Sequence, residues 1–334
     1  MSEISEMSEV DMSATIGTVL STTTHRRRPE ATQARAGVML ILPALLLMLA
    51  ILILPMAVAA TLSFSDYTLG RPGLEWVGLE NYRDLLTRSS YRKMFAATVL
   101  YVLAVVPVSV GLGLGAALLI RSLKIGQAVY KTVYFLPVMA SLLAMAIVWE
   151  FALHPSLGIV NRTFAMGCGT VLELWPWYAK ACADGFPLWL GDRDYALATL
   201  AFIGIWQSFG FNMVLYLAGL TSVPGDLYDA AEMDGARSAW ERFRLITWPM
   251  LGPTTVFVVT ITTIRSFQVF DTVEALTHGG PAKSTYVMIY AIYEKGIAQN
   301  LVGMGAAITV LFLGFVMLVS MAQRRFVERK VHYQ

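Results

Sequence analysis

The sequence predicts an all-α integral membrane protein of six transmembrane helices, and three observations carry that prediction. Charged residues make up 14% of the 334-residue chain, against about 25% in soluble domains. Hydrophobic residues make up 56%, the composition of a chain partly dissolved in lipid. Cutting the sequence at every Asp, Glu, Lys and Arg leaves six uncharged stretches of 18 residues or more: 36–65, 94–120, 132–149, 195–225, 245–264 and 296–323. A helix needs roughly 20 apolar residues to cross the hydrocarbon core, so each stretch can span. Backbone polar groups in lipid must be satisfied within their own segment, which makes the runs helices and their assembly a bundle.

Residues 1–35 are rich in Ser, Thr and Glu and contain "HRRRPE". They bury too little to order themselves, so a tail without fixed structure is expected. The first span, about 37–64, is too long for the apolar core of a signal peptide, and five more follow. It is expected to be retained, although "MAVAA" imitates a cleavage site. Segment 66–93 contains "LEWVGLENYRDLL", an amphipathic stretch expected to form a short structured loop on the membrane face. The second span, 94–120, carries "GLGLG" at 111–115, which follows no strand; its small residues are read as permitting close helix approach. After the third span, 132–151, comes the long loop 154–194. Its Trp175, Trp177 and Trp189 suit the membrane interface, and it holds the only cysteines, Cys168 and Cys182. Whether they pair stays open, because sequence does not fix the Cα separation that a disulfide requires. The fourth span covers 195–220 and a polar segment, 221–250, separates it from the fifth, 250–270. The sixth, 298–323, leads into the tail 324–334.

Lys and Arg set the orientation. With the N-terminus inside, 14 basic residues fall inside and 10 outside, with Arg265 within a helix. The bias is strongest at the short loop around Arg121, Lys124 and Lys131 and at the two tails, where the positive-inside rule applies best. Both termini and segment 221–250 are therefore expected in the cytoplasm. A net charge of +2 gives no reason to expect nucleic acid as a partner. No Gly-rich loop ends in Gly-Lys-Ser/Thr, and His25, His154, His278 and His332 lack metal-ligand spacing.

Within the polar segment, "DLYDAAEMDGARSAWERF" (226–243) reads as two short helices. Ser222 suits an N-cap, Pro224 the first turn, and Asp226 and Asp229 the positive helix end. Leu227, Ala230 and Ala231 share a face, and Gly235 can end the helix in a left-handed conformation. A second helix is expected from about Ala236, with Ala236, Trp240 and Phe243 as an apolar stripe, ending at Pro249. Such a knob suits docking to another protein or folding back on its own bundle; shape alone leaves both open.

"DAAEMDG" followed by "ITWP" resembles the EAA motif of permease subunits in ATP-binding-cassette importers, in the sugar-importer branch that includes the maltose and glycerol-3-phosphate systems. "GLENYRDLL" (78–86), "GIVN" (158–161), "LYLAGLTSVPGDLYDAAEMDGA" (215–236), "FDTVEALTHGGPAKST" (270–285) and the terminal "RRFVERKVHY" resemble family segments in family order, from roughly residue 36 to 333. The resemblance implies the type I importer permease fold and makes the knob a coupling helix seated in a groove of a cytoplasmic ATPase. Asp229, Ala230, Ala231, Asp234 and Gly235 would carry that role, with Trp240 and Phe243 on the supporting stripe. Asp229 stands where the family usually has Glu, and Trp248 replaces the usual Leu. Ten residues separate Gly235 from Ile246, where nine is usual. The implied partners are a second homologous permease, two ATPase subunits that bind ATP and Mg, and an extracytoplasmic solute-binding protein, with no cofactor in this chain. The implied function is alternating-access import of a sugar or glycerol-phosphate-type solute across the cytoplasmic membrane of a prokaryote. The chain would be a transport subunit, not an enzyme.

Polar and aromatic residues inside spans usually face the bundle interior. Trp206, Gln207, Asn212 and Tyr216 of the fourth span, with Thr262, Thr263, Arg265 and Gln268 of the fifth, are the candidates for the solute path. Helix–helix hydrogen bonding is the alternative for each. A solitary ion-coupled transporter would place carboxylates deep in the membrane; only Glu150 and Asp271 come near, both toward helix ends, and the knob would have no task. A membrane-embedded enzyme lacks any His-rich, Cys/His or Ser/His constellation.

Overall fold

The computed structural model describes residues 31–327; the readings of the tails at 1–30 and 328–334 lie outside the described residues. Among those described, regular structure is helical, and the one extended pairing is an isolated bridge between Ser65 and Trp76. The chain divides into two compact units at Ala57 and Val58. In the first, α1 (Ala31–Met48) passes through a π turn at Leu49–Ile53 into α2 (Leu54–Leu62), whose last residues, from Val58, belong to the second. The turn precedes Pro55, which lacks the N–H that would reach the Ile51 carbonyl. This helix contains an 18-residue window of mean hydropathy 3.0, as expected of the first span.

Within the second unit, α3 (Glu80–Thr87) lies inside the expected structured loop. Leu85 is fully buried there, and the Asn81 amide donates to the Ser63 and Ser65 carbonyls at 3.0 and 2.9 Å. Next come α4 (Ser89–Ser122), α5 (Gln127–Met139) and α6 (Leu142–Ala152), then α7 (Ile159–Met166) and α8 (Pro176–Asp184) in the long loop. They are followed by α9 (Arg193–Thr221) and the polar segment: α10 (Asp226–Met233), α11 (Ala239–Arg242), a π turn at Phe243–Thr247 and α12 (Trp248–Met250). Last are α13 (Gly252–Phe267), α14 (Asp271–Leu276), α15 (Met288–Tyr293) and α16 (Val302–Val327).

Among the described residues, four apolar helices are long enough to cross a membrane unbroken, and two bent pairs bring the number to six when each pair is one span. The pairs correct two expectations. The third span is not continuous: α5 and α6 meet at 97°. Ala140 and Ser141 are extended there, with ψ of 141° and 129°, and Ser141, of the residue class that starts helices, opens α6. Pro249 does not end the knob's second helix either. The helical course runs through it to Met250 and bends 68° at Leu251, after which Pro253, without an N–H, suits the first turn of α13.

The α4–α9 contact is the centre of the bundle, and small residues set its closeness. A Cβ on Gly113 would lie 2.7 Å from that of Asn212, whereas Gly111 and Gly115 face no neighbour. One glycine of "GLGLG" therefore carries the close approach. A Cβ on Gly210 would strike the Tyr134 carbonyl, so α5 crosses α9 at backbone distance. Apolar packing forms one cluster toward the long-loop end (Met94, Tyr101, Leu200, Phe267, Met288, Ile308) and a smaller one toward the knob end (Ala117, Met213, Tyr216, Leu220, Leu251, Val258). In the long loop Cys168 and Cys182 are disulfide-bonded, with Cα atoms 5.9 Å apart. Behind them Phe164 packs on Trp177, Tyr178, Phe186 and Trp189.

Candidate functional site

The knob is built around a helix stop. α10 places Asp226 and Asp229 in its first turn, where the helix dipole favours negative charge. Its N-cap is Gly225, however, and not Ser222, which lies at the end of α9 and donates back to the Gly219 carbonyl at 2.7 Å. Gly235 adopts φ +95°, a conformation costly for residues with a Cβ, and turns the chain. The second helix starts at Ala239, three residues later than expected. Ser238 caps it by accepting from the Trp240 N–H at 3.2 Å, while Glu241 accepts from the Ser238 N–H at 3.0 Å. This capping box was present in the sequence and was missed.

The π turn at Phe243–Thr247 lets Phe243 pack on both Trp240 and Trp248, at 5.5 and 6.1 Å between ring centroids. A π turn takes one more residue than an α turn. Asp229, Ala230, Asp234, Gly235 and Trp240 are exposed, Ala231 and Phe243 are half-buried, and Ala236 is buried beneath them. Four contacts brace the knob and the span ends behind it. The Arg121 guanidinium donates to the Leu220 carbonyl at 2.9 Å and lies 5.4 Å from the Tyr228 ring. The Tyr228 and Thr247 hydroxyls bond at 2.9 Å, and Arg242 pairs with Glu232 at 3.6 Å.

The second candidate region is a cavity of 460 Å³ between α4, the α5–α6 bend, α9 and the end of α13. Cavities of roughly 300–1,000 Å³ hold small molecules. Of the residues singled out from sequence, Gln207, Arg265 and Gln268 line it; Ser208, Phe270 and Asp271 also line it and were not singled out as path residues. Arg265 lies over the Phe211 ring at 4.1 Å, and none of the described ion pairs involves Arg265 or Asp271.

The remaining candidates lie elsewhere. Asn212 is buried, donating to Ser109 at 3.3 Å and accepting from the Thr262 hydroxyl at 2.8 Å, which ties α4, α9 and α13 together. Thr263 accepts from the Gln323 amide of α16 at 2.7 Å. Tyr216 is fully buried in the knob-end cluster, and Trp206 packs edge-on against Trp149 at 5.4 Å.

A family model described as "binding-protein-dependent transport system inner membrane component" matches residues 109–333. The sn-glycerol-3-phosphate transport system permease protein UgpA of Agrobacterium fabrum is 30% identical over 259 residues, 77% of this chain and 83% of that one. The UgpA protein of Pectobacterium atrosepticum is 30% identical over 298 residues, 88% of this chain and 95% of that one. Among solved structures, that of a bacterial ABC transporter involved in the import of the acidic polysaccharide alginate has a TM-score of 0.74 at 19% identity, over 89% of this chain and 96% of that chain; this likeness concerns the fold. The matched family, the coverage of these relatives and the shared fold agree, and the chain belongs to the binding-protein-dependent transport system inner membrane components, the permease subunits of ABC importers.

Proposed function

We propose that this permease carries a glycerol-phosphate- or sugar-type solute inward across the cytoplasmic membrane of a prokaryote, with its knob and both termini on the cytoplasmic side. One observation carries the coupling role: an acidic, alanine-backed helix stands exposed, turned at Gly235 and held at the end of α4 by Arg121 against the Tyr228 ring. Asp229, Ala230, Ala231, Asp234 and Gly235 meet the groove of an ATPase subunit, and the Trp240–Phe243 stack stiffens the lever. Two such subunits bind ATP and Mg. A second, homologous permease completes the membrane unit, and a solute-binding protein delivers cargo from outside. ATP shifts the permease outward-open because it binds the closed ATPase pair better than the open one; equal affinity would shift nothing.

The solute passes the cavity that Gln207, Arg265 and Gln268 line. A guanidinium fork suits a phosphate or a pair of hydroxyls, and Tyr101 and Phe270, also on the lining, bring aromatic rings that suit the apolar face of a sugar. The relatives named for sn-glycerol-3-phosphate support a phosphorylated polyol. Met233→Cys tests the docking, because Met233 is 89% exposed at the end of α10 and the chain's two cysteines are bonded to each other. In the reconstituted complex this thiol should cross-link to the ATPase subunit. An actively transporting complex that gives no such cross-link would remove the assignment.

A further inference from the structure

A larger cavity, 760 Å³, lies at the knob end and shares no lining residue with the cavity proposed for the solute. Leu118 and Arg121 of α4, Leu220 of α9, and Tyr228, Arg242 and Phe243 of the polar segment line it. Two arginines thus line this space, and among the described residues its lining contains no carboxylate. Arg121 spends one N–H on the Leu220 carbonyl, leaving others of its five free to donate. The partner of Arg242, Glu232, is 65% exposed at 3.6 Å, an arrangement worth little in water and easily exchanged for a better anion.

Position narrows the occupant. α4 and α9 are apolar spans ending at Ser122 and Thr221, so the cavity sits where hydrocarbon gives way to headgroups. One wall is aliphatic and aromatic. Trp240, also on the lining, is 67% exposed, and indoles favour this depth.

We infer that this cavity holds the phosphate headgroup of an acidic phospholipid, bound by Arg121 and Arg242, with its acyl chains leaving along Leu118, Leu220 and Phe243. Basic pockets between spans at the membrane surface take such headgroups, and guanidinium forks match phosphate geometry. The lipid joins the span ends to the helix behind the coupling turn, so membrane composition sets how stiffly the knob is held.

The test uses the assembled importer in native mass spectrometry with added phosphatidylglycerol or phosphatidylcholine. One phosphatidylglycerol should stay bound per copy of this permease under activation that strips phosphatidylcholine. Arg242→Gln should lower the retained fraction about fivefold, the factor that roughly one arginine near an anionic surface is worth; Arg244→Gln, which does not line the cavity, should leave it unchanged. Because Arg121→Gln also removes a brace, the second variant is Ser122→Trp, which fills the cavity without touching a charge and should displace the lipid. Equal retention of the two lipids, or retention unaffected by Arg242→Gln and Ser122→Trp, overturns the inference. So does inorganic phosphate protecting delipidated complex from thermal unfolding as well as phosphatidylglycerol does, which would mark a site for the free anion. Protection of a Ser122→Cys thiol from labelling by the ATPase alone, with no lipid present, overturns it in favour of a protein occupant.

Discussion

Replacing Gly235 with valine perturbs the knob at the point where its shape is decided. No atom lies within 4 Å of where a Cβ would stand, so the cost is backbone strain and not a clash. An L residue in the left-handed region costs roughly 1–2 kcal/mol, and a β-branched one tends toward 3. The braces are of the same size. The Tyr228–Thr247 hydrogen bond contributes about 1 kcal/mol, the exposed Arg242–Glu232 pair at most about 1, and the Arg121 bond to the Leu220 carbonyl about 1.5–3. The strain therefore reshapes residues 234–238 before it can melt a span. Since each 1.4 kcal/mol is about tenfold in a population, uptake and solute-stimulated ATPase activity in proteoliposomes should fall tenfold or more, while the permease still inserts and pairs. Gly235→Asn should recover most of the activity, because Asn tolerates this conformation. A valine variant with normal uptake and stimulated ATPase would refute the coupling role, and an Asn variant as damaged as the valine one would refute the backbone argument.

Arg265→Gln should lower uptake about tenfold or more, the effect of losing a little over 1.4 kcal/mol of contact with solute, with normal complex yield on size-exclusion; normal uptake would end its assignment to the path. Cys168→Ser should lower the melting temperature of the long loop, since closing a 14-residue separation is worth about 3 kcal/mol, and non-reduced peptide mapping should show Cys168 joined to Cys182 in the parent chain. Gly210→Ala should cost about 1–3 kcal/mol through overpacking, read as lost thermal stability, because the atom it strikes is the Tyr134 carbonyl and not a side chain that can swing away.

The spans were legible because lipid penalises charge, and runs free of Asp, Glu, Lys and Arg record that penalty residue by residue. The bend between α5 and α6 was not. Hydropathy sums side chains, and "PVMASLL" stays apolar through a 97° turn made by the backbone of Ala140 and Ser141. In the knob, "DAAEMDG" announced its helix and its stop, yet Ser222 was misplaced because α9 runs on to Thr221 and takes the hydroxyl for its own last turn. Asn212, Thr262 and Arg265 all read alike from sequence, as polar groups that lipid rejects. Only the helix rotation separates them: Asn212 and Thr262 satisfy each other between helices, and Arg265 reaches the cavity. Asp271 lay too near a helix end to stand out.

The bend at Ala140 also bears on the cavity beside Gln207 and Arg265. Val138, Ala140 and Leu142 stand on its wall and contribute no polar side chain. A helix that stops leaves its last carbonyls without donors, and one that starts leaves its first N–H groups without acceptors. Two such ends meet here at a steep angle. The bend therefore brings unpaired main-chain donors and acceptors close to a stretch whose lining side chains, Val138, Ala140 and Leu142, are all apolar. Polarity of that origin belongs to the backbone, so an alanine scan of 138–142 leaves it in place, whereas a continuous helix through Ala140 and Ser141 would pair those groups and remove it.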